Sequence, residues 1–315
     1  MKGDPVSIPI HQRRCVRTAN VIGFLRQLRD FGVMSIAVLA VLVIASARTD
    51  AAQQPSPPKD ENEYEQPLEE VFQTELVYPQ DRGEVQLTFG PRKFSGGEES
   101  AEIPIAAEYG ITDRLQVEIE YAAFTSIRLD TNGNARGPGN VEIGTKYSFM
   151  NIRGSNVHAA VGCNIELPTG DVSQGLSEGL VEVEPFACFA RDFPSLNRMQ
   201  LFGQVGVDLV NRTKTAPDND TEDSDEAPLD PHEFFLNVGT FVPIGKFRGT
   251  MELNWTTNQW NNLGNESAVY VTPGIVWVPK SGLEFGIGLP VGVSHDADHL
   301  RVIGLLIYEF DTVRH

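Results

Sequence analysis

The feature that most constrains the fold of this chain is a two-residue alternation of apolar and polar side chains, repeated in segments between residues 83 and 310. The stretch "EYGITDRLQVEIEYAAF" (108–124) shows it clearly. Apolar residues occupy every second position from 115 to 121, and Gln116, Glu118 and Glu120 lie between them. Because successive side chains of a β-strand point to opposite faces, the stretch predicts a hairpin with one apolar and one acidic face.

The same pattern predicts twelve strands of about ten residues each, the length of a tilted strand that crosses a bilayer. An even number of antiparallel strands is typical of a closed bacterial outer-membrane barrel. The predicted strands lie near residues 83–93, 101–110, 114–124, 140–150, 157–167, 181–191, 199–211, 233–243, 249–257, 268–278, 283–293 and 301–310.

The connections between these strands alternate between short and long. Five are short: "ITD", "NIRGSN", "DFPSLNR", "PIGKFR" and "PKSG". Most of the others are longer, such as "TSIRLDTNGNARGPG" and "PTGDVSQGLSEGL". Membrane barrels have short periplasmic turns and longer external loops, whereas a soluble sandwich with Greek-key connections has no reason to keep this asymmetry. The sequence therefore predicts an all-β, antiparallel, up-and-down transmembrane barrel, with a soluble β-protein as the alternative.

In a membrane barrel the apolar face contacts lipid and the polar face lines the lumen. This assignment predicts an acidic lumen, and a soluble fold would invert it. The predicted lumen-lining residues are Glu102, Glu108, Arg114, Glu118, Glu120, Glu142, Lys146, His158, Glu166, Glu182, Glu184, Glu252 and Glu284.

The N-terminus predicts export from the cytoplasm. "GVMSIAVLAVLVIASA" (32–47) is uncharged, follows a basic stretch and ends in Ala45-Ser46-Ala47, which indicates a signal peptide over 1–47. An N-terminal membrane anchor is the alternative. Residues 48–80 are rich in Pro, Gln and Glu and predict a flexible linker, although "VFQTELV" (71–77) could form a strand or tuck under the body. The barrel is then residues 81–315, and the predicted location is the outer membrane of a Gram-negative bacterium.

Several stretches resemble an outer-membrane family named for the meta-pathway of phenol degradation (MetA), whose members are described as transporters. They are "GEVQLTFG", "IPIAAEYGITDRLQVEIEYAAF", "GPGNVEIGTKYSFM" and "AAVGCNIELPTGD", within a resemblance that covers about residues 70–310. The resemblance implies an outer-membrane barrel that passes aromatic or other small apolar compounds. It carries no catalytic motif.

Charge and the C-terminus bear on partners. The net charge of −18 disfavours nucleic acid, whose binding depends on Lys and Arg contacts to phosphate. The terminal "LLIYEF", with Tyr308 and Phe310 on one face, resembles the strand by which barrel assembly machinery recognises its clients, although "DTVRH" follows it. The predicted partners are outer-membrane lipid, this machinery and a small-molecule solute, and no cofactor is predicted.

The predicted function is a channel or transporter for small molecules. A structural or loop-display barrel is the main alternative, motivated by the long acidic loop at 212–232. A barrel enzyme is less favoured. Such an enzyme needs a serine near a histidine base, yet Asn156 and Ala160 flank His158 two positions away.

Two further groups of residues are weak candidates for a site. His295, Asp296, Asp298 and His299 are weak metal-ligand candidates within one loop, and a solvated loop is the favoured interpretation. Cys163 and Cys188 are predicted to lie on opposite faces and to remain unpaired, although the oxidising compartment permits a disulfide.

Overall fold

The computed structural model describes residues 67–95, 100–129, 133–212, 232–258 and 266–312. The predicted signal peptide, residues 48–66 of the predicted linker and most of the acidic loop at 212–232 lie outside this range. Within the described residues, no helix is long and apolar enough to cross a membrane.

Fifteen β-strands form one sheet, with short 3₁₀ turns at Ile152–Gly154, Val172–Gln174 and Pro194–Leu196. The strands are β1 (Glu84–Phe89), β2 (Arg92–Ser95), β3 (Ser100–Thr112), β4 (Leu115–Leu129), β5 (Gly133–Gly137), β6 (Val141–Phe149), β7 (Val157–Leu167), β8 (Leu180–Phe193), β9 (Met199–Arg212), β10 (Glu233–Ile244), β11 (Phe247–Thr257), β12 (Ser267–Lys280), β13 (Leu283–Gly288), β14 (Val291–Gly292) and β15 (Leu300–Asp311).

These strands make a closed antiparallel barrel of twelve staves, as the sequence predicted. Three staves consist of two strands each, β1 with β2, β5 with β6, and β13 with β14. Each interruption contains a proline (Pro91, Pro138 or Pro290), which has no N–H to donate to the ladder. The last strand, β15, pairs with both β13 and β1 and so closes the barrel.

The two ends of the barrel differ as the connections predicted. Tight connections join β3 to β4, β6 to β7, β8 to β9, β10 to β11 and β12 to β13 at one end, which we call the short-turn end. The connections at the other end are mostly longer. The predicted loop at 125–139 is different in the structure, because β4 and β5 continue the wall as an antiparallel pair whose register runs from Thr125 opposite Gly137 to Leu129 opposite Gly133.

The outer wall is apolar. Ile119, Ile143 and Ile165 lie directly opposite one another on β4, β6 and β7, and their side chains are 51%, 47% and 40% exposed. A contiguous exposed apolar surface of this kind is unfavourable in water but suits lipid. The opening hairpin therefore keeps its isoleucine and valine face outside the barrel.

Aromatic side chains collect on the outer wall near the short-turn end. Tyr147 and Phe149 have ring centroids 5.1 Å apart, those of Trp277 and Phe285 are 5.6 Å apart, and Tyr308 and Phe310 stack with centroids 5.8 Å apart. Amphipathic rings favour the headgroup zone of a membrane. They mark the level at which the apolar wall meets that interface.

Candidate functional site

The lumen contains a segment of the chain itself, residues 67–82, which we call the luminal segment. It begins at the short-turn end, where Arg248 Nε donates to the carbonyl of Pro67 at 2.8 Å. It returns to the same end, where the backbone N–H of Gly83 donates to Gly110 at 2.8 Å before β1 begins. The segment therefore enters the barrel, turns inside it and leaves by the end through which it entered.

This placement corrects part of the domain assignment, which made residues 48–80 a flexible linker. Residues 67–80 are packed inside the barrel, and many of their apolar side chains are buried. The polar groups of the segment, which indicated a linker, form hydrogen bonds here with polar groups of the inner wall. The buried apolar side chains of the segment are Leu68, Val71, Phe72, Leu76, Val77 and Tyr78.

Glu252 on β11 holds the turn of the luminal segment. Its carboxylate accepts hydrogen bonds from the backbone N–H groups of Phe72 at 3.0 Å and Gln73 at 3.1 Å, and from the Thr74 hydroxyl at 2.7 Å. Glu252 is 1% exposed. These three hydrogen bonds make Glu252 a polar anchor of the turn.

We expect Glu252→Ala to loosen the turn of the luminal segment. The change removes the acceptor of three hydrogen bonds, so hydrogen–deuterium exchange of peptides containing Phe72 and Gln73 should become at least about tenfold faster. Glu252→Gln keeps one acceptor oxygen and should have a smaller effect. Glu182→Ala on β8, three strands away from β11, is the matched control, and equal acceleration in this control would contradict the anchoring role.

Phe72 lies against wall glycines. A methyl group at Gly274 would stand 2.1 Å from Phe72 Cε2, and one at Gly288 would stand 2.4 Å from Phe72 Cγ. Both distances are too short for carbon atoms that are not bonded to each other. Only glycine therefore allows the ring to lie this close to the wall. The glycines of β12 and β13 thus form the floor on which the segment packs.

The opposite wall binds the returning part of the segment. Lys146 on β6 forms an ion pair with Glu75 and donates to the carbonyl of Leu76 at 2.9 Å. Ser148, two residues along the same strand, donates to the carbonyl of Val77 at 2.6 Å. Since β6 lies across the barrel from β11, both walls hold the luminal segment in place.

Glu70 introduces a second carboxyl beside the wall residue Glu108. The Thr88 hydroxyl donates to Glu70 Oε1 at 2.8 Å. Burial, reinforced by the nearby Glu108 carboxylate, raises the pKa of Glu70 well above its usual value. These effects favour a protonated Glu70 inside the folded barrel.

His158 belongs to a buried polar cluster at the short-turn end. Its Nε2 lies 2.9 Å from Asp192 Oδ2, and its Nδ1 accepts from the backbone N–H of Asn151 at 2.9 Å. Gln200 donates to the other Asp192 oxygen at 2.7 Å, and the ring of Tyr78 lies 5.9 Å from the imidazole. Because Nδ1 accepts a hydrogen bond, Nε2 carries the proton and donates it to Asp192. The cluster fixes the end of the luminal segment against the wall.

Beyond the luminal segment, four glutamates line up across four adjacent staves. Glu120 of β4 is directly opposite Glu142 of β6, which is opposite Glu166 of β7, which is opposite Glu182 of β8. We call these residues the acidic row. Like charges directly opposite each other destabilise a sheet, so packing alone gives no reason for the row.

Two members of the acidic row accept hydrogen bonds from neighbouring side chains. Arg92 donates to Glu120 at 3.3 Å, and the Asn140 amide donates to Glu166 at 2.5 Å. The row lies four residues along β6 from Lys146, in the direction of the long connections. It therefore lines one side of the lumen, between the luminal segment and the long-loop end.

The other predicted lumen residues fall into two groups. Glu108, Lys146, His158, Glu252 and Glu284 are buried, whereas Glu102, Glu118 and Glu184 are half-buried together with the acidic row. Arg114 corrects the prediction, because it is the second residue of the turn between β3 and β4 and is exposed there. Its position just outside the strand removes it from the alternation.

Sequence reasoning missed the uncharged polar groups of the inner wall. Gln204 accepts from the backbone N–H of Glu75 at 3.0 Å, Gln116 from that of Gln80 at 3.0 Å, and Asn237 donates to the carbonyl of Gln73 at 3.1 Å. These residues share the strand phase of the predicted glutamates. The alternation contains this signal and already places Gln116 on the predicted polar face, although the predicted lumen-lining residues include no Gln or Asn.

The metal-ligand candidates near the end of the chain have other partners. Asp296 Oδ2 accepts from the backbone N–H of Ser267 at 2.9 Å, and Asp298 forms an ion pair with Arg301 at 2.9 Å. Across the described ranges, no group of three or more His, Cys, Asp or Glu side chains is placed to hold a metal ion. The solvated-loop interpretation fits these contacts.

Cys163 and Cys188 are both free thiols, as the sequence analysis favoured. Cys163 lies opposite Pro185, and Cys188 lies opposite Ala160. The register therefore places the two thiols at different levels of neighbouring strands.

Comparison with known proteins supports the fold and leaves the family open. No protein-family model matches the chain, and no curated protein matches it, so the MetA resemblance is not confirmed. Among solved structures, the COG4313 outer membrane channel from Pseudomonas putida F1 aligns with a TM-score of 0.57 at 11% identity, covering 74% of this chain and 98% of that one. The chain shares the barrel fold of that structure.

Two further solved structures are more distant. The KdgM porin aligns with a TM-score of 0.47 at 7% identity, over 71% of this chain and 99% of that one. The CymD monoaromatic hydrocarbon channel aligns with a TM-score of 0.41 at 11% identity, over 75% of this chain and 90% of that one. These two likenesses are too low to support an argument about this chain.

Proposed function

We propose that this protein is an outer-membrane channel for small solutes, with a lumen that favours cations and neutral molecules over anions. The observation that carries the proposal is the acidic row, four glutamates placed side by side on the inner wall. The apolar outer wall supports a place in the outer membrane. The barrel also shares its fold with a protein described as an outer membrane channel.

The selectivity follows from electrostatics. Carboxylates in a narrow, protein-lined lumen attract cations and repel anions, as charged rings do in other pores. Basic groups on the inner wall oppose this effect, and among the described residues they include Arg92, which contacts Glu120, Lys146, which pairs with Glu75, and also Arg248 and Arg301. The inner-wall glutamates still outnumber these bases. Neutral solutes are not repelled by these carboxylates. We propose small aromatic or other apolar compounds as the class of solute that is transported.

We expect the reversal potential across a KCl gradient to have the sign of a cation-preferring pore. The measurement uses refolded protein in planar bilayers at neutral pH. The preference should weaken with salt, because the screening length falls from roughly 10 Å at 0.1 M to roughly 3 Å at 1 M. The double variant Glu142→Gln and Glu166→Gln should lower the cation-to-anion permeability ratio several-fold.

The matched control removes the same charge outside the lumen. Asp113→Asn with Asp311→Asn changes two exposed carboxylates at the short-turn end and should leave the ratio unchanged. An anion-selective sign in the parent, or equal effects of the two double variants, would show that the acidic row does not set selectivity.

A further inference from the structure

Three basic side chains meet at the long-loop end of the barrel. Lys93 of β2, Arg128 of β4 and Arg136 of β5 line a cavity of about 230 Å³ together with Ser126 and Asn134. We call the three basic residues the basic patch. None of the described residues that line this cavity is acidic, although the chain has a net charge of −18.

The strand register shows which way this patch faces. Arg136 is directly opposite Ser126, Ser126 is opposite Ala101, Ala101 is opposite Lys93, and Lys93 is opposite Val302. Directly paired residues of an antiparallel ladder lie on the same face of a sheet. Val302 is 37% exposed on the outer wall. The row that contains Lys93 and Arg136 therefore lies outside the lumen.

Arg128 continues the same face one step further from the membrane. It pairs with Asn134 on β5, and each lies two positions from a member of the Ser126–Arg136 pair. In the opposite direction along β4, the residue two positions before Ser126 is Phe124, which is 39% exposed. The basic patch thus lies just where the apolar and aromatic wall ends.

The side chains present here suit a phosphate group. The guanidinium groups of two arginines offer planar pairs of N–H donors that match phosphate oxygens, and the lysine adds a mobile ammonium charge. Ser126 and Asn134 add hydroxyl and amide donors at the same cavity. Basic residues at the level of membrane headgroups bind anionic lipid headgroups through these interactions.

We propose that Lys93, Arg128 and Arg136 bind a phosphate of a phosphorylated glycolipid headgroup in the outer leaflet. The lipid source is favoured over free phosphate because the patch lies on the outer wall directly beyond Phe124, where acyl chains would cover the apolar surface below it. The inference rests on the outer-membrane location in the proposed function, and it is independent of any transport role.

The test compares two lipids on refolded protein in detergent micelles, with binding measured by native mass spectrometry. The probes are bisphosphorylated lipid A and the same lipid without phosphate. The parent should prefer the phosphorylated form. The triple variant Lys93→Gln, Arg128→Gln and Arg136→Gln should bind it on the order of 100-fold more weakly, since each basic residue at such a surface contributes about fivefold.

The matched control removes three exposed basic residues at the short-turn end, through Arg114→Gln, Arg153→Gln and Lys280→Gln. This variant should bind lipid A like the parent, and heat-dependent gel mobility confirms that both triple variants are folded. Equal binding of the two lipids by the parent, or an equal loss in both triple variants, would overturn the proposal.

Inorganic phosphate at millimolar concentration forms the third arm, and full competition by it would assign the patch to free phosphate instead. Because no conductance is measured, these outcomes stand apart from those of the channel experiments.

Discussion

Deletion of residues 48–80 should raise the single-channel conductance several-fold. The deletion removes most of the luminal segment, and with it the buried side chains of Leu68, Phe72, Leu76 and Tyr78 that fill the barrel. The wall should still form, because the backbone hydrogen bonds of a closed barrel run between its own strands and do not depend on the segment. Planar bilayer recording of parent and deletion variant at the same salt concentration gives the comparison.

A shorter deletion provides the control for this experiment. Removal of residues 48–66 leaves the luminal segment intact, so its conductance should equal that of the parent. If the parent conducts and both deletion variants have the same single-channel conductance as the parent, the luminal segment does not obstruct the path of ions. If neither the parent nor the longer deletion conducts at all, the barrel is better explained as a scaffold that displays its loops.

Ile119→Arg should prevent assembly of the barrel in a membrane. Ile119 is 51% exposed at one end of the isoleucine row on the outer wall, directly opposite Ile143. An arginine near the middle of the bilayer costs about 2–4 kcal/mol in a barrel of this type, which is a large part of the stability of most domains. The folded fraction after insertion into lipid vesicles, measured by heat-dependent gel mobility, should fall well below that of the parent.

Two variants separate this effect from general damage to β4. Ile119→Leu keeps an apolar side chain toward lipid and should assemble like the parent. Glu118→Leu changes the adjacent residue on the inner face and should also permit insertion, although it disturbs the lumen. Normal assembly of Ile119→Arg, combined with failure of Glu118→Leu, would mean that the two faces have been assigned the wrong way round.

The wall of this barrel could be predicted from the sequence because its physical basis is local. A strand in a membrane must place apolar side chains toward lipid at every second position, as Val117, Ile119 and Tyr121 do. Because of this requirement, the order of apolar and polar residues indicates how long the strands are, how many there are and which way each face points. The alternation of short and long connections similarly reveals the two ends of the barrel. Twelve strands and an apolar outer face follow from these patterns alone.

The contents of the lumen depend on the tertiary structure. Residues 67–80 follow a Pro-, Gln- and Glu-rich stretch, and although 71–77 could form a strand or tuck under the body, no local pattern predicts that the segment enters the barrel. Their donors and acceptors are satisfied only by groups far away in sequence, such as Glu252 for Phe72 and Lys146 for Glu75. An extended polar chain can be buried where the surrounding wall supplies these partners, and otherwise it remains in water.

The acidic row and the basic patch depend on strand register in the same way. Each glutamate of the row could be assigned to the inner face from its own strand, but the alternation repeats every two residues and leaves the relative height of neighbouring strands open. Only the paired structure places Glu142 level with both Glu120 and Glu166, and brings Lys93 into one row with Arg136. The sequence by itself determined which side of the wall most strand residues face, because that is a property of one strand, and it was wrong for Arg114, which lies in a turn. The tertiary structure decided which residues meet, because that depends on hydrogen-bonded register between strands and on a segment that finds its partners only inside the closed barrel.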